Sequence, residues 1–210
     1  RPDAIALLAQ FMQSHPRAGA VGAQLIYPDG RRQQSAFRFP GLAQTFLDFF
    51  PLHHRLRDSR LNGRYPQRST AFEIDHPLGA CILARGDAIR QVGLLDEGYF
   101  MYVEEVDWCR RIKQAGWDIW CEPRAVIVHH EGQATRQFRA AMFAQLWRSR
   151  LRYFRKVHSP FYVACIRAIV RVGLWNEARK LAGANVSAAE RARRLSAFAE
   201  VRALLVTSDK

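Results

Sequence analysis

The stretch Asp96–Glu97–Gly98–Tyr99–Phe100–Met101–Tyr102–Val103–Glu104–Glu105–Val106–Asp107–Trp108, running on to His129–His130–Glu131–Gly132, decides how this chain is read. Trp108, Ile112 and Ala115 fall on one side of a helical repeat, and Gly116 is placed to stop it, so the spacing predicts a helix over 107–115. Trp117–Cys121 and Ala125–His129 read as strands around a break at Glu122–Pro123. Three carboxylates, Glu104, Glu105 and Asp107, crowd the start of the helix. One or two would complement the helix dipole. Three, directly after an aromatic run, exceed that need. A helix N-terminus also keeps a carboxylate ionised, which suits a general base acting on a hydroxyl.

The histidines follow a different geometry. Side chains alternate along a strand, so Ala125, Ile127 and His129 share one face, and Val126, Val128 and His130 the other. Only one of the pair should enter a given site. A His at a strand end near acids suits Mn²⁺ better than Mg²⁺. Gly132–Gln133–Ala134–Thr135–Arg136 is small, polar and basic, as a loop closing over phosphates would be.

Working outward, Pro2 and Asp3 open a helix with Ile5, Leu8 and Met12 on one stripe, which ends before His15–Pro16. Ala20–Tyr27 reads as a mostly buried strand. Pro28–Asp29–Gly30 is a turn, and Arg31–Phe39 is expected to pair back as a second strand, whose polar character makes it an edge or a ligand-facing one. Thr45–Leu52 is expected to be helical, ahead of the basic segment His53–His54–Arg55 to Arg64. Phe72–Ala84 reads as strand, interruption, strand, with Gly79–Ala80 letting backbone approach a ligand. Arg85–Gly86–Asp87 opens a short helix that stops at Gly93. From Gln137 the pattern is helical, broken at His158–Ser159–Pro160. Ser187-Ala-Ala-Glu190 forms a capping box opening the last helix.

The chain has 210 residues, 49% hydrophobic and 24% charged, the balance of a folded globular protein. No run approaches a membrane span. Four scattered cysteines without a CxxC pair read as reduced core thiols. The formal net charge is +13, and residues 136–180 carry eleven Lys or Arg against one acid, Glu177. Such a patch suits a polyanion or an anionic membrane surface. Two further readings of the residues stand open. One is a non-catalytic basic module on a membrane surface or polyanion, with no nucleic-acid motif accompanying it. The other is a metal-dependent hydrolase built on the same acids and His129.

As an ordered set, several motifs resemble the family 2 glycosyltransferases, rhamnosyltransferase-like branch. They are Tyr27–Pro28–Asp29–Gly30, Gly79–Ala80–Cys81, Gly93–Leu94–Leu95–Asp96–Glu97, Phe100–Met101–Tyr102–Val103–Glu104–Glu105–Val106–Asp107, Ala115–Gly116–Trp117 and His129–His130–Glu131–Gly132. The resemblance spans residues 2 to about 156 and implies an α/β fold: the C-terminal part of a GT-A-type mixed sheet flanked by helices. That part would run over residues 1–135, with a basic helical extension over 136–210.

The resemblance further implies an inverting enzyme that takes a sugar from a nucleotide-sugar donor to a hydroxyl of a saccharide or lipid-linked acceptor. The setting implied is cell-surface polysaccharide synthesis, on the cytoplasmic face of the plasma membrane. Glu105, standing where the family usually has Asp, would be the base, with Glu104 beside it and Asp107 at the site wall. Gly79, Ala80, Asp96, Phe100, Tyr102 and Arg136 would line the substrate site. A divalent cation, Mn²⁺ or Mg²⁺, would be held by His129, with His130 as the alternative and the main ligands outside this chain. The fragment alone is expected to be inactive.

Overall fold

A computed structural model describes residues 3–53, 56, 59–130 and 138–206. The chain divides into two compact units. The first comprises Arg1–Pro40, Asp58–Gly98 and Glu104–Gln133; the second comprises Gly41–Arg57, Tyr99–Val103 and Ala134–Lys210.

The first unit is a mixed sheet flanked by helices. Its centre is β1 (Ala18–Ile26), every residue of which is buried except Ile26 at its end. Small residues at Ala18, Gly19, Ala20, Gly22 and Ala23 let both faces be covered closely, as a strand buried on two sides requires. On one face α1 (Ala4–Ser14) packs Ala4, Leu8, Phe11 and Met12 against Val21 and Ala23. On the other, α4 (Glu104–Gln114) contributes Cys109 and Ile112 to a cluster with Ala20 and Ile74.

The sheet order is β3 (Phe72–Glu73), β6 (Asp118–Val128), β1, β5 (Ile82–Ala84). Strand β6 runs parallel to β1, while β3 and β5 are antiparallel to their neighbours. A second, two-stranded sheet pairs β2 (Ala36–Phe37) with β4 (His76–Pro77). Helix α3 (Gly86–Val92) ends at Gly93, whose φ of 79° places it where only glycine sits without strain.

Three local expectations are corrected. The break at Glu122–Pro123 is a distortion within one continuous strand. Ala23 pairs with Glu122 and Gln24 with Val126, so residues 123–125 have no ladder partner on β1. Proline lacks the N–H a regular ladder needs, and a bulge lets the strand continue past it. Arg31–Phe39 does not return along β1. Only the Ile26–Arg32 bridge pairs back, and Ala36–Phe37 joins the second sheet instead. Phe72–Ala84 is three short strands, because β4 leaves the sheet that holds β3 and β5.

The second unit is helical. It contains α2 (Leu42–Phe49), α5 (Arg139–Val157), α6 (Pro160–Ala182) and α7 (Ala188–Leu204). Phe49 fills the notch above Gly173, where a Cβ would lie 2.2 Å from the Phe49 ring, and it stacks on Trp147 at 5.2 Å. Phe143 meets Phe198 edge to face at 5.7 Å. Ser159 accepts the Tyr162 N–H to start α6 with Pro160 in its first turn.

Ser187 likewise accepts the Glu190 N–H at 3.2 Å. The return bond of the expected capping box is replaced, since Glu190 directs one oxygen to Arg193 and the other to Arg194. Ser187→Ala should therefore cost about 1 kcal/mol, measured by chemical denaturation. No described helix is long and apolar enough to cross a membrane.

Candidate active site

Within the first unit, β5 runs antiparallel to β1, with Ile82 opposite Gly22. The turn ahead of β5 therefore lies beside the C-terminal half of β1, the end at which open parallel sheets receive ligands. Gly79 in that turn is exposed and approaches Glu105 at the start of α4. A Cβ on Gly79 would lie 3.5 Å from the Glu105 side chain. The neighbour of Gly79 is thus the candidate base, at ordinary van der Waals distance. Ala80 is exposed in the same turn.

Glu105 is partly exposed by surface area, yet atoms crowd its carboxyl. Burial first, and the neighbouring Glu104 charge second, push its pKa up to about 7. Backbone N–H groups of Glu105, Val106 and Gly79 hold it from rising further. A carboxyl with that pKa is divided between base and acid near neutral pH, the range in which proton transfer is most effective. Glu104 Oε2 is buried and has no hydrogen-bond partner among the described residues. A buried carboxylate oxygen left without a partner is a place for a hydroxyl donor.

Asp107 is placed differently. It is 1% exposed and pairs with Arg111 at 3.0 Å. Arg111 in turn donates to the carbonyls of Val92 and Leu94, and Trp108 Nε1 donates to that of Gly93 at 2.9 Å. Asp107 and Arg111 together therefore fix α4 against the end of α3. Asp96 accepts the Gly98 N–H at 2.8 Å, a local turn bond.

Among the aromatics, which cluster with the second unit, Phe100 is 80% exposed and Tyr99 is buried under Arg152. Tyr102 and Val103 both have positive φ, 67° and 71°. For a β-branched residue this is a true outlier that surrounding contacts must hold. Part of the restraint comes from Ser149, which donates to the Met101 carbonyl at 2.7 Å. The next residues in the chain are the Glu104–Glu105 pair.

At the C-terminal edge of the parallel pair, the His129 N–H donates to Ile26 O at 2.9 Å, extending the ladder one residue past β6. His129 Nδ1 lies 3.0 Å from Gln33 Oε1. With Nδ1 donating, Nε2 is the lone-pair atom of the ring, the arrangement that orients a ligating imidazole. His130 is exposed. A divalent cation would find one prepared imidazole here. No group of three or more His, Cys, Asp or Glu gathers for a metal among the described residues. Arg136 and the basic loop before it lie outside the described residues.

Gln33 was not evident from the residues alone. It is 4% exposed, and its carbonyl accepts from buried Gln24 at 3.0 Å. Two residues on, Ser35 O accepts the Leu78 N–H at 2.9 Å. Backbone thus links the His129–Gln33 cluster to the Leu78–Gly79 turn over Glu105. Gln33 also lines a polar cavity of about 600 Å³ with Tyr27, Arg32, Arg64, Tyr65 and Gln67. The only signal for it was the polar character of Arg31–Phe39, that of an edge or a ligand-facing strand.

No family model matches the chain. It is 31% identical over 178 residues to the N-acetylglucosaminyl-diphospho-decaprenol L-rhamnosyltransferase of Mycobacterium tuberculosis, a match covering 82% of this chain and 57% of that protein. It is 30% identical over 83 residues to rhamnosyltransferase WbbL of Escherichia coli K12, covering 40% and 31% respectively. A third match, 37% over 41 residues, is to the low-salt glycan biosynthesis hexosyltransferase Agl10 of Haloferax volcanii, 20% of this chain and 13% of that protein. The chain spans little more than half the length of the mycobacterial relative.

Proposed function

Because the chain belongs to the rhamnosyltransferase-like branch of the family 2 glycosyltransferases, we propose that the whole protein transfers a sugar from a nucleotide-sugar to a hydroxyl of a saccharide acceptor in polysaccharide synthesis. The acceptor we propose is carried on a polyprenyl diphosphate, as the name of the mycobacterial relative says of that protein. The observation that carries the reading is the Glu105 carboxyl, seated against Gly79 with its pKa raised to about 7.

In this mechanism the acceptor O–H gives its proton to the Glu105 carboxylate. The oxygen attacks the anomeric carbon from the face opposite the diphosphate, whose bond to that carbon breaks with its electron pair. The new glycosidic bond has inverted configuration. Glu104 Oε2, shielded and unpartnered among the described residues, would accept from a second acceptor hydroxyl and orient it. The cavity with Arg32, Arg64 and Gln33 would take phosphate or sugar hydroxyls. A divalent cation, when bound, would neutralise the leaving diphosphate. From this chain His129 would ligate it, with His130 the alternative.

The test supplies the whole protein with nucleotide-sugars and a polyprenyl-diphosphate N-acetylglucosamine acceptor. Product should form with inverted anomeric configuration by NMR. Product of retained configuration, or hydrolysis of donor without transfer to acceptor, would overturn the proposal. The 210-residue chain by itself should transfer nothing.

A further inference from the structure

Helix α6 is apolar on two sides, and the described residues cover only one of them. Val163, Ile166, Val170, Gly173, Leu174 and Leu181 are buried in the helical unit. On the opposite side Phe161, Ala164, Ala168, Val172 and Trp175 recur at spacings of three and four, and all are exposed. Phe161 is 79% exposed, and Val172 and Trp175 are each 54% exposed. At 1.5 Å per residue, the band from Phe161 to Trp175 is about 21 Å long. A helix apolar all round is ordinarily buried all round, so this outer band is matched to something beyond the unit.

The charges around the band say what that is. Exposed Arg171 lies along one flank, with Arg167 beside it a turn earlier. Arg179 continues the band's own line and stacks over the Trp175 ring at 4.7 Å. The helix's one acid, Glu177, lies on the buried side and pairs with Lys180 at 2.7 Å. An aromatic and aliphatic strip edged by cations and free of acids fits the boundary between acyl chains and anionic headgroups. Trp with a neighbouring Arg is the pairing that settles at headgroup depth. A second copy of the chain is a poorer occupant, since each copy carries a net charge of +13.

We infer that the outer face of α6, Phe161–Ala164–Ala168–Val172–Trp175, lies in the plane of an anionic lipid surface, with Arg171 and Arg179 among the headgroups. The inference does not depend on the transferase reading, and its test uses no sugar.

The chain is sedimented with phosphatidylcholine vesicles containing about one-third phosphatidylglycerol, and with vesicles of phosphatidylcholine alone. Wild type should bind the anionic vesicles, and added salt should weaken that binding. Phe161→Ser/Trp175→Ser should bind at least about tenfold more weakly. Arg171→Glu/Arg179→Glu should lose both the preference for anionic lipid and the salt dependence. Ile5→Ser, an exposed apolar change on α1, should bind as wild type. All substitutions fall on exposed side chains, and unchanged thermal melting confirms the fold. Wild type remaining in solution would overturn the inference, as would the Phe161/Trp175 variant binding within twofold of it. Self-association that the variant abolishes, with no vesicle binding, would assign the face to a second copy instead.

Discussion

Replacing Glu105 with Gln should lower kcat of the proposed sugar transfer by the whole protein about a hundredfold or more, because the amide cannot take the acceptor proton. A loss of less than about tenfold would assign the base to another group. The wild-type rate should rise with pH about tenfold per unit below pH 7 and level off above it, since only the ionised carboxylate is a base. The midpoint should follow the Glu105 pKa of about 7. Changing Glu104 to Gln should move that midpoint down, because the Glu104 charge is the second cause of the raised value.

The same residue should leave a mark on stability. Its folded pKa lies above the ordinary glutamate value of 4.5, so between pH 4.5 and 7 the folded state binds more protons than the unfolded state. Stability therefore falls as pH rises through that window. Glu105→Gln should remove this dependence and stabilise the protein at pH 8 by about 2 kcal/mol, allowing for screening of a partly exposed carboxyl. Urea titrations at pH 5 and pH 8 would read it. A variant that lost activity without gaining stability at pH 8 would mean that the carboxyl is not raised.

Arg111→Met should be the most destabilising polar substitution in α4, at about 3 kcal/mol. Asp107 is 1% exposed, and Arg111 brings it a guanidinium at 3.0 Å. Removing the cation leaves a buried carboxylate with its main countercharge gone. It also strips the Val92 and Leu94 carbonyls of their donor. The double variant Asp107→Asn/Arg111→Met should recover part of the loss, because no charge then remains buried. Urea midpoints of the two variants at pH 7 decide it. A cost below about 1 kcal/mol for Arg111→Met would mean that other donors carry Asp107.

Much of the scaffold was legible because its signals are local. The Pro28–Asp29–Gly30 turn closes as its chemistry requires, with Gly30 at φ 83° and its N–H on Tyr27 O. Gly93 stops α3, and Ser159–Pro160 separates α5 from α6. The mixed sheet flanked by helices and the helical C-terminal region follow the expected order of elements. Where the reading went astray, a competing partner had overridden a local signal, distant along the chain in one case and one turn away in the other. Pro123 reads as a strand break, but the parallel pairing with β1 on both sides of it carries the strand through. Glu190 has the spacing of a capping box, but two arginines on the following turn outcompete the backbone N–H.

By itself the sequence determined the local patterns at the candidate site. An acid pair opens a helix, an imidazole ends a strand, and the ordered motifs point to one family. These depend on spacing along the chain, and a helix repeat or a strand alternation is set by a few neighbouring residues. Tertiary structure alone decided which acid is raised and which is held. Glu105 and Asp107 are two residues apart in the same helix turn, yet one meets a glycine turn and the other a guanidinium. Only the folded chain brings Gly79 to Glu105 and buries Asp107, whose partner Arg111 stands one turn along the same helix. It also imposes positive φ on Tyr102 and Val103, a conformation neither side chain favours and no local pattern announces. The physical reason is common to all three. Burial, countercharge and backbone strain are properties of what surrounds a residue, and those surroundings come from elsewhere in the chain.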